Sequence, residues 1–135
     1  MEQKDFLLRE IEKISIIIRY LLGLYVPPKT IQEQQNIENL FNKELKERYG
    51  KDLEYILNIK KNDFEKEFIQ SKGFNYENIE LLADLLTTIG NNQFSETQLY
   101  LNKSLDLYEY IDQKSKTFSF ERINKINNLK SVNTK

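Results

Sequence analysis

The run ISIIIRYLLGLYV, Ile14 to Val26, is the feature that most limits how this chain can fold. In its 13 residues only Ser15, Arg19 and Gly23 interrupt the apolar character. They stand four apart, so on a helix they form one narrow strip. Leu7, Ile11, Ile14, Ile18, Leu21 and Tyr25 step by four and three alternately, which is a helical, heptad-like seam. Leu8, Ile16, Ile17, Leu22 and Leu24 lie off that seam and are apolar too. A helix apolar on most sides is expected to be buried on most sides. The stretch is shorter than the roughly 20 residues a bilayer span needs, and it contains Arg19, so no membrane span is expected. Pro27–Pro28 should end the helix, because proline bars its predecessor from helical angles and lacks an N–H. Two placements satisfy the pattern: a central core helix, or the seam of a homodimer.

The 135 residues suit one domain. With four Gly and two Pro, long stretches run without a breaker, which favours helices over a turn-rich β architecture. The absence of Cys and His excludes disulfides, thiol chemistry, catalytic triads and zinc sites built on those ligands. The amino terminus, MEQKDFLLRE, is mixed in sign and unlike a signal peptide, and a cytoplasmic protein of bacterial type is expected. The net charge of −1 hides an asymmetry. From Gln113 onward six Lys/Arg face only Glu121, so the tail is +5 and the remainder −6.

A second helix is predicted from near Thr30 to near Tyr49, with Ile37, Leu40, Phe41, Leu45 and Tyr49 facing the core and Gly50 past its end. A short third helix, capped by Asp52, carries Leu53, Ile56 and Leu57. A fourth starts at Asn62 or Asp63, buries Phe64, Phe68 and Ile69, and ends at Gly73. Three later segments then share one device: FNYENI, FSETQL and FSFERI. Each has Phe, a capping residue (Asn75, Ser95, Ser119), three variable residues, then Ile or Leu. This is an N-cap joined to a hydrophobic staple, and Gln98 adds a capping box to the second copy. FSFERI is therefore read as a helix start, with Phe118 stapling Ile123 and Phe120 in the core. The helices that follow carry Ile79, Leu82, Ala83, Leu86 and Ile89, closed by Gly90; then Leu99, Leu101, Leu105, Tyr108 and Ile111; then a helix to about Lys130, with a frayed 132–135 tail.

Leu81 to Asp112 resembles a tetratricopeptide repeat. Leu82, Ala83 and Leu86 match the large and small residues of that family's first helix. Gly90 and Phe94 match its turn, and Thr97 and Ser104 the small positions of its second helix. A further helix commonly follows, as Ser119–Lys130 would. The family's first-helix Trp and closing Pro are absent. The resemblance implies right-handed helical-hairpin packing in the carboxy-terminal half and a role in binding proteins.

The overall expectation is an all-α chain of six or seven helices in one domain, with 1–73 supplying the amino-terminal helices and 74–131 the hairpin and a covering helix. Glu77, Glu80 and Asp84 share a helix side, and paired carboxylates can do acid–base work or hold Mg²⁺ or Ca²⁺. A solvated outer face is the expected reading instead. Arg19 is either a partner contact or the mate of a carboxylate from Glu12 or another helix. The basic tail with Phe118 and Phe120 has the cations and aromatics of a nucleic-acid contact, but an overall pI near 5.7 argues against one. The expected function is non-catalytic protein–protein interaction, with another protein or a second copy as partner. Regulatory nucleic-acid contact through the last helix is the alternative. No cofactor, metal or small-molecule ligand is expected. The candidate partner-contacting residues are Ile17, Arg19, Leu24, Tyr100, Tyr108, Arg122 and Lys125.

Overall fold

In the computed structural model, which describes residues 2–26, 29–70, 73–92 and 97–133, the apolar run lies in α1, Glu2–Leu24. Ile14, Ile18 and Leu21 are buried, with Ile11 and Tyr25 half-buried, so the heptad-like seam is the core face from Ile11 onward. The rest of the helix departs from expectation. Leu7, Leu8, Ile16 and Tyr20 are exposed, Ile16 at 58% and Tyr20 at 60%. The helix packs on α2 (Ile31–Arg48) and α4 (Tyr76–Asn91), which cover the seam and leave the opposite side open. Pro27 and Pro28 lie outside the described residues. The last turn closes through Tyr25 N–H to the Leu22 carbonyl and Val26 N–H to that of Gly23.

Thr30 and Glu33 form a reciprocal capping box at the start of α2: Thr30 Oγ1 accepts from the Glu33 N–H at 3.1 Å, and Glu33 Oε1 accepts from that of Thr30 at 3.0 Å. Ile37, Phe41 and Leu45 are buried along it, and Leu40 and Tyr49 half-buried. Asp52 caps α3 (Leu53–Leu57), and Leu53, Ile56 and Leu57 are buried.

The expected fourth α-helix is instead a 3₁₀ turn, Lys61–Asp63, running into a π turn, Glu65–Ile69. Neither Asn62 nor Asp63 caps it; Lys60 precedes it without a side-chain cap. The widened turn accompanies two fully buried rings, Phe64 and Phe68, with centroids 5.8 Å apart. Tyr49, Phe74 and Tyr110 extend this into an aromatic cluster with edge-to-face contacts at 5.1–5.6 Å, and Tyr76 adds a tilted contact with Tyr110 at 6.2 Å. Gly73 is not the end-cap it was expected to be: Gln70 caps the π turn, three residues earlier, and the φ of +99° at Gly73 serves a close approach instead, since a Cβ there would lie 2.3 Å from Ile14 Cδ1.

The α4 helix and α5 (Thr97–Lys114) form the main antiparallel hairpin, and α6 (Phe120–Asn133) packs on α5. Asn75 caps α4, accepting from the Asn78 N–H at 2.8 Å, and Phe74 is buried as the staple reading asks. The Phe94–Ser95 start of α5 lies outside the described residues. Gly90 does not close its helix: α4 continues to Asn91 and Gly90 is buried inside it. A Cβ there would lie 2.9 Å from Tyr100 Cβ, so glycine permits the close approach of α5. Leu99, expected in the core, is exposed.

Ser119 caps α6, its Oγ accepting from the Arg122 N–H at 3.1 Å. The staple beside it does not form. Phe118 is 70% exposed and Phe120 75%, and their rings stack edge-to-face on each other at 4.7 Å. Arg122 explains why: its guanidinium reaches back to the Thr117 carbonyl and fills the space beneath the turn with polar atoms. Ile126 and Leu129 anchor α6, which runs to Asn133 where fraying was expected from residue 132.

Among the described residues the elements are all helical, with no strand. No helix among them is long and apolar enough to cross a membrane.

Candidate functional site

The acidic stripe of α4 is where distant parts of the chain meet. Glu77, Glu80 and Asp84 step by three and four, so they line up along one side of the helix. Each faces a cation from another element. Arg19 of α1 meets Glu77 at 2.7 Å, and its Nε also donates to Ser15 Oγ at 3.1 Å. Arg122 of α6 meets Glu80 at 3.1 Å and Asp112 at 3.0 Å. Lys125, one turn on, meets Asp84 at 2.9 Å and lies within 3.9 Å of Glu80 and 3.7 Å of Glu121.

Burial grades these contacts. Arg19 and Glu77 are both exposed, so their pair is screened and contributes little. Arg122 is only 3% exposed, and its guanidinium donates to two carboxylates and the Thr117 carbonyl. A buried guanidinium satisfied on several sides fixes geometry. Lys125 is drawn down by partial burial, but the Asp84 hydrogen bond and the Asp84, Glu80 and Glu121 charges outweigh that and raise its pKa. Tyr108, fully buried, donates its hydroxyl to Asp84; burial first, and the Asp84 charge second, push its pKa well above the ordinary tyrosine value.

Glu80 and Asp84 are thus half-covered by α6, where a solvated face was expected. Beside them runs a crevice of about 360 Å³, lined by Arg19, Tyr76, Glu77, Glu80, Ser115 and Arg122. With a cation against each carboxylate, the arrangement works as a fastening between helices. Among the described residues no group of three or more carboxylates is placed to hold a metal ion.

Arg19, Tyr108, Arg122 and Lys125 therefore converge on α4. Tyr100 is buried at the other end of the hairpin, its hydroxyl donating to Glu38 of α2 at 3.3 Å. Ile17 and Leu24 are half-buried on α1, and Ile17 borders a small apolar crevice with Phe41, Leu45 and Tyr49. The exposed Ile16 and Tyr20 beside them were not among the candidates. Their signal is in the sequence: Lys13, Ile16, Tyr20 and Leu24 step by three, four and four, away from the seam. The burial of Arg122 has a signal too, for it stands four and seven residues before Ile126 and Leu129 on the core stripe of α6.

Compared with known protein families, curated proteins and solved structures, the chain matches none.

Proposed function

We propose that this chain is a non-catalytic protein–protein interaction module, and that the outer side of α1 is where it pairs with a second copy. One observation carries the reading: Ile16 and Tyr20 stand exposed in mid-helix on the side no other element covers, with Ile17 and Leu24, half-buried against the core, at its edges. Charge selects the occupant. Arg9 and Lys13 continue the stripe toward the amino terminus, while the last turn of α1 has no basic residue. An antiparallel pair centred level with Ile18 sets Ile16 of each copy against Tyr20 of the other. It also carries the two cations toward the negative end of the opposing helix. Gly23 has nothing within 4 Å of where a Cβ would stand, which leaves room for the Lys13 stem.

The stripe from Arg9 to Leu24 is about 22 Å long at the helical rise. One helix pair of that length buries less than the roughly 1,200 Å² of a permanent interface, so a weak dimer, micromolar or weaker, is expected. The α4–α5 hairpin supports a tetratricopeptide-like reading of the carboxy-terminal half. Ala83 and Ser104, two of the small residues behind that resemblance, meet through a 3.1 Å hydrogen bond from Ser104 Oγ to the Ala83 carbonyl. The nucleic-acid alternative loses support because Arg122 and Lys125 are engaged within the chain.

Sedimentation equilibrium over a wide concentration range tests the proposal. The expected result is a reversible dimer, abolished by Ile16→Glu with the helical circular dichroism unchanged. A wild-type chain that stays monomeric at about 1 mM refutes self-pairing.

A further inference from the structure

The turn between α5 and α6 carries a second surface, independent of α1. Phe118 and Phe120 project from it as a stacked pair, both rings largely in solvent. Lys114 and Lys116 precede them, both exposed. Among the described residues neither lysine pairs with a carboxylate, whereas the neighbouring acids are engaged: Asp112 with Arg122 and Glu121 with Lys125. Lys116 has φ +59°, a left-handed conformation uncommon for a residue with a side chain, which turns the chain sharply before the aromatic pair.

The polar atoms of this turn are occupied internally. Ser119 Oγ caps α6, the Thr117 carbonyl accepts from Arg122, and the Thr117 and Ser115 hydroxyls bond to each other at 2.8 Å. What remains outward is led by the two rings and the two lysine ammonium groups; the exposed carboxylates beside them, Asp112 and Glu121, are each held toward a cation of α6. A protein interface carries about one hydrogen bond per 100–200 Å². Single-stranded nucleic acid needs free aromatic faces and a cationic groove along its backbone. Here the edge-to-face pair leaves ring faces open, but the one arginine nearby is buried and the exposed lysines are confined to the turn, so the backbone-tracking cations are few. A fluid, negatively charged surface asks for neither direction nor a groove. It takes apolar side chains into its interface and draws lysines by charge.

We propose that the α5–α6 turn is a contact site for an anionic lipid surface, entered by Phe118 and Phe120 and held by Lys114 and Lys116. Contact of this kind is peripheral and reversible, and does not require any helix to cross the bilayer.

Co-sedimentation of the full chain with vesicles tests this, using phosphatidylcholine alone and phosphatidylcholine with about 30% phosphatidylserine. Binding is expected to the mixed vesicles and to weaken with salt. The double change Phe118→Ser/Phe120→Ser should lower partitioning about tenfold or more. Lys114→Gln/Lys116→Gln should lower it about tenfold and remove the preference for anionic vesicles. Both pairs are exposed, so folding should persist, and circular dichroism checks it. Failure of the wild-type chain to sediment with mixed vesicles overturns the proposal, as does undiminished binding by the Phe variant. A chain that ignores vesicles but binds a single-stranded oligonucleotide overturns it in favour of nucleic acid.

Discussion

Replacing Gly90 by alanine sets two effects of known size against each other. Alanine in a helix interior is worth about 1 kcal/mol over glycine. Against that, the added Cβ would lie 2.9 Å from Tyr100 Cβ and 3.1 Å from Leu101 Cδ2. The leucine tip can rotate away. Tyr100 Cβ cannot, because it is fixed to the α5 backbone, so relief requires the two helices to separate by several tenths of an ångström. Leu85, Leu86, Leu107 and Tyr108, all essentially inaccessible, would lose contact together. Overpacking of this kind costs typically 1–3 kcal/mol, so a net loss of about 1 kcal/mol is expected. Gly23→Ala is the control: it makes the same backbone change on α1 with nothing within 4 Å of the new methyl, and should stabilise by about 0.5–1 kcal/mol. Urea denaturation of both variants in dilute solution gives the comparison through the midpoint at constant slope. If Gly90→Ala stabilises as much as Gly23→Ala, the two helices are not in close contact at this point.

Arg122→Ala should cost about 2–3 kcal/mol, below the full range for a broken buried pair because Glu80 and Asp112 keep some water. Arg122→Met, which keeps the volume, should recover part of that loss; equal losses in the two variants would show that packing alone holds α6. Stability should also fall in alkali. Burial holds the pKa of Tyr25 up at about 12, with the Glu38 charge adding to it, and raises those of Tyr108 and Tyr110 further. Their folded values exceed the unfolded value of 10.0, so their contribution is complete below pH 10 and lost as pH rises through the folded values. Lys125, also raised, acts in the same direction. Denaturant midpoints and tyrosinate absorbance followed together between about pH 8 and 12 check this, and an unchanged midpoint across that span would contradict the assigned environments.

Local signals were legible in the sequence and tertiary ones were not. Asp52, Asn75 and Ser119 cap the helices assigned to them because a cap involves only residues three apart. The alternation of four and three located the core side of α1 correctly, since Ile14, Ile18 and Leu21 are buried. Whether the remaining apolar side would be covered depended on where α2 and α4 lie, which no local pattern states. Gly90 looks the same as a helix stop and as a point of close approach; Tyr100, ten residues on, decides between them. For Phe118 the staple motif was present, yet Arg122 took the space beneath the turn. At the acidic stripe of α4 the spacing of Glu77, Glu80 and Asp84 was plain, but their cations come from both ends of the chain.

That last arrangement has a consequence for the order of events in folding. The α4–α5 hairpin is built from near neighbours in the chain and closes at small entropic cost. Arg122 must find Glu80 across 42 residues, and Asn78 reaches the Ile11 carbonyl across 67. The hairpin is therefore expected to form first, with α6 following and α1 docking last. Changes on the seam of α1 should then leave the folding rate nearly untouched and mainly accelerate unfolding. The first helix of the chain would thus set how long the folded state lasts more than how fast it is reached.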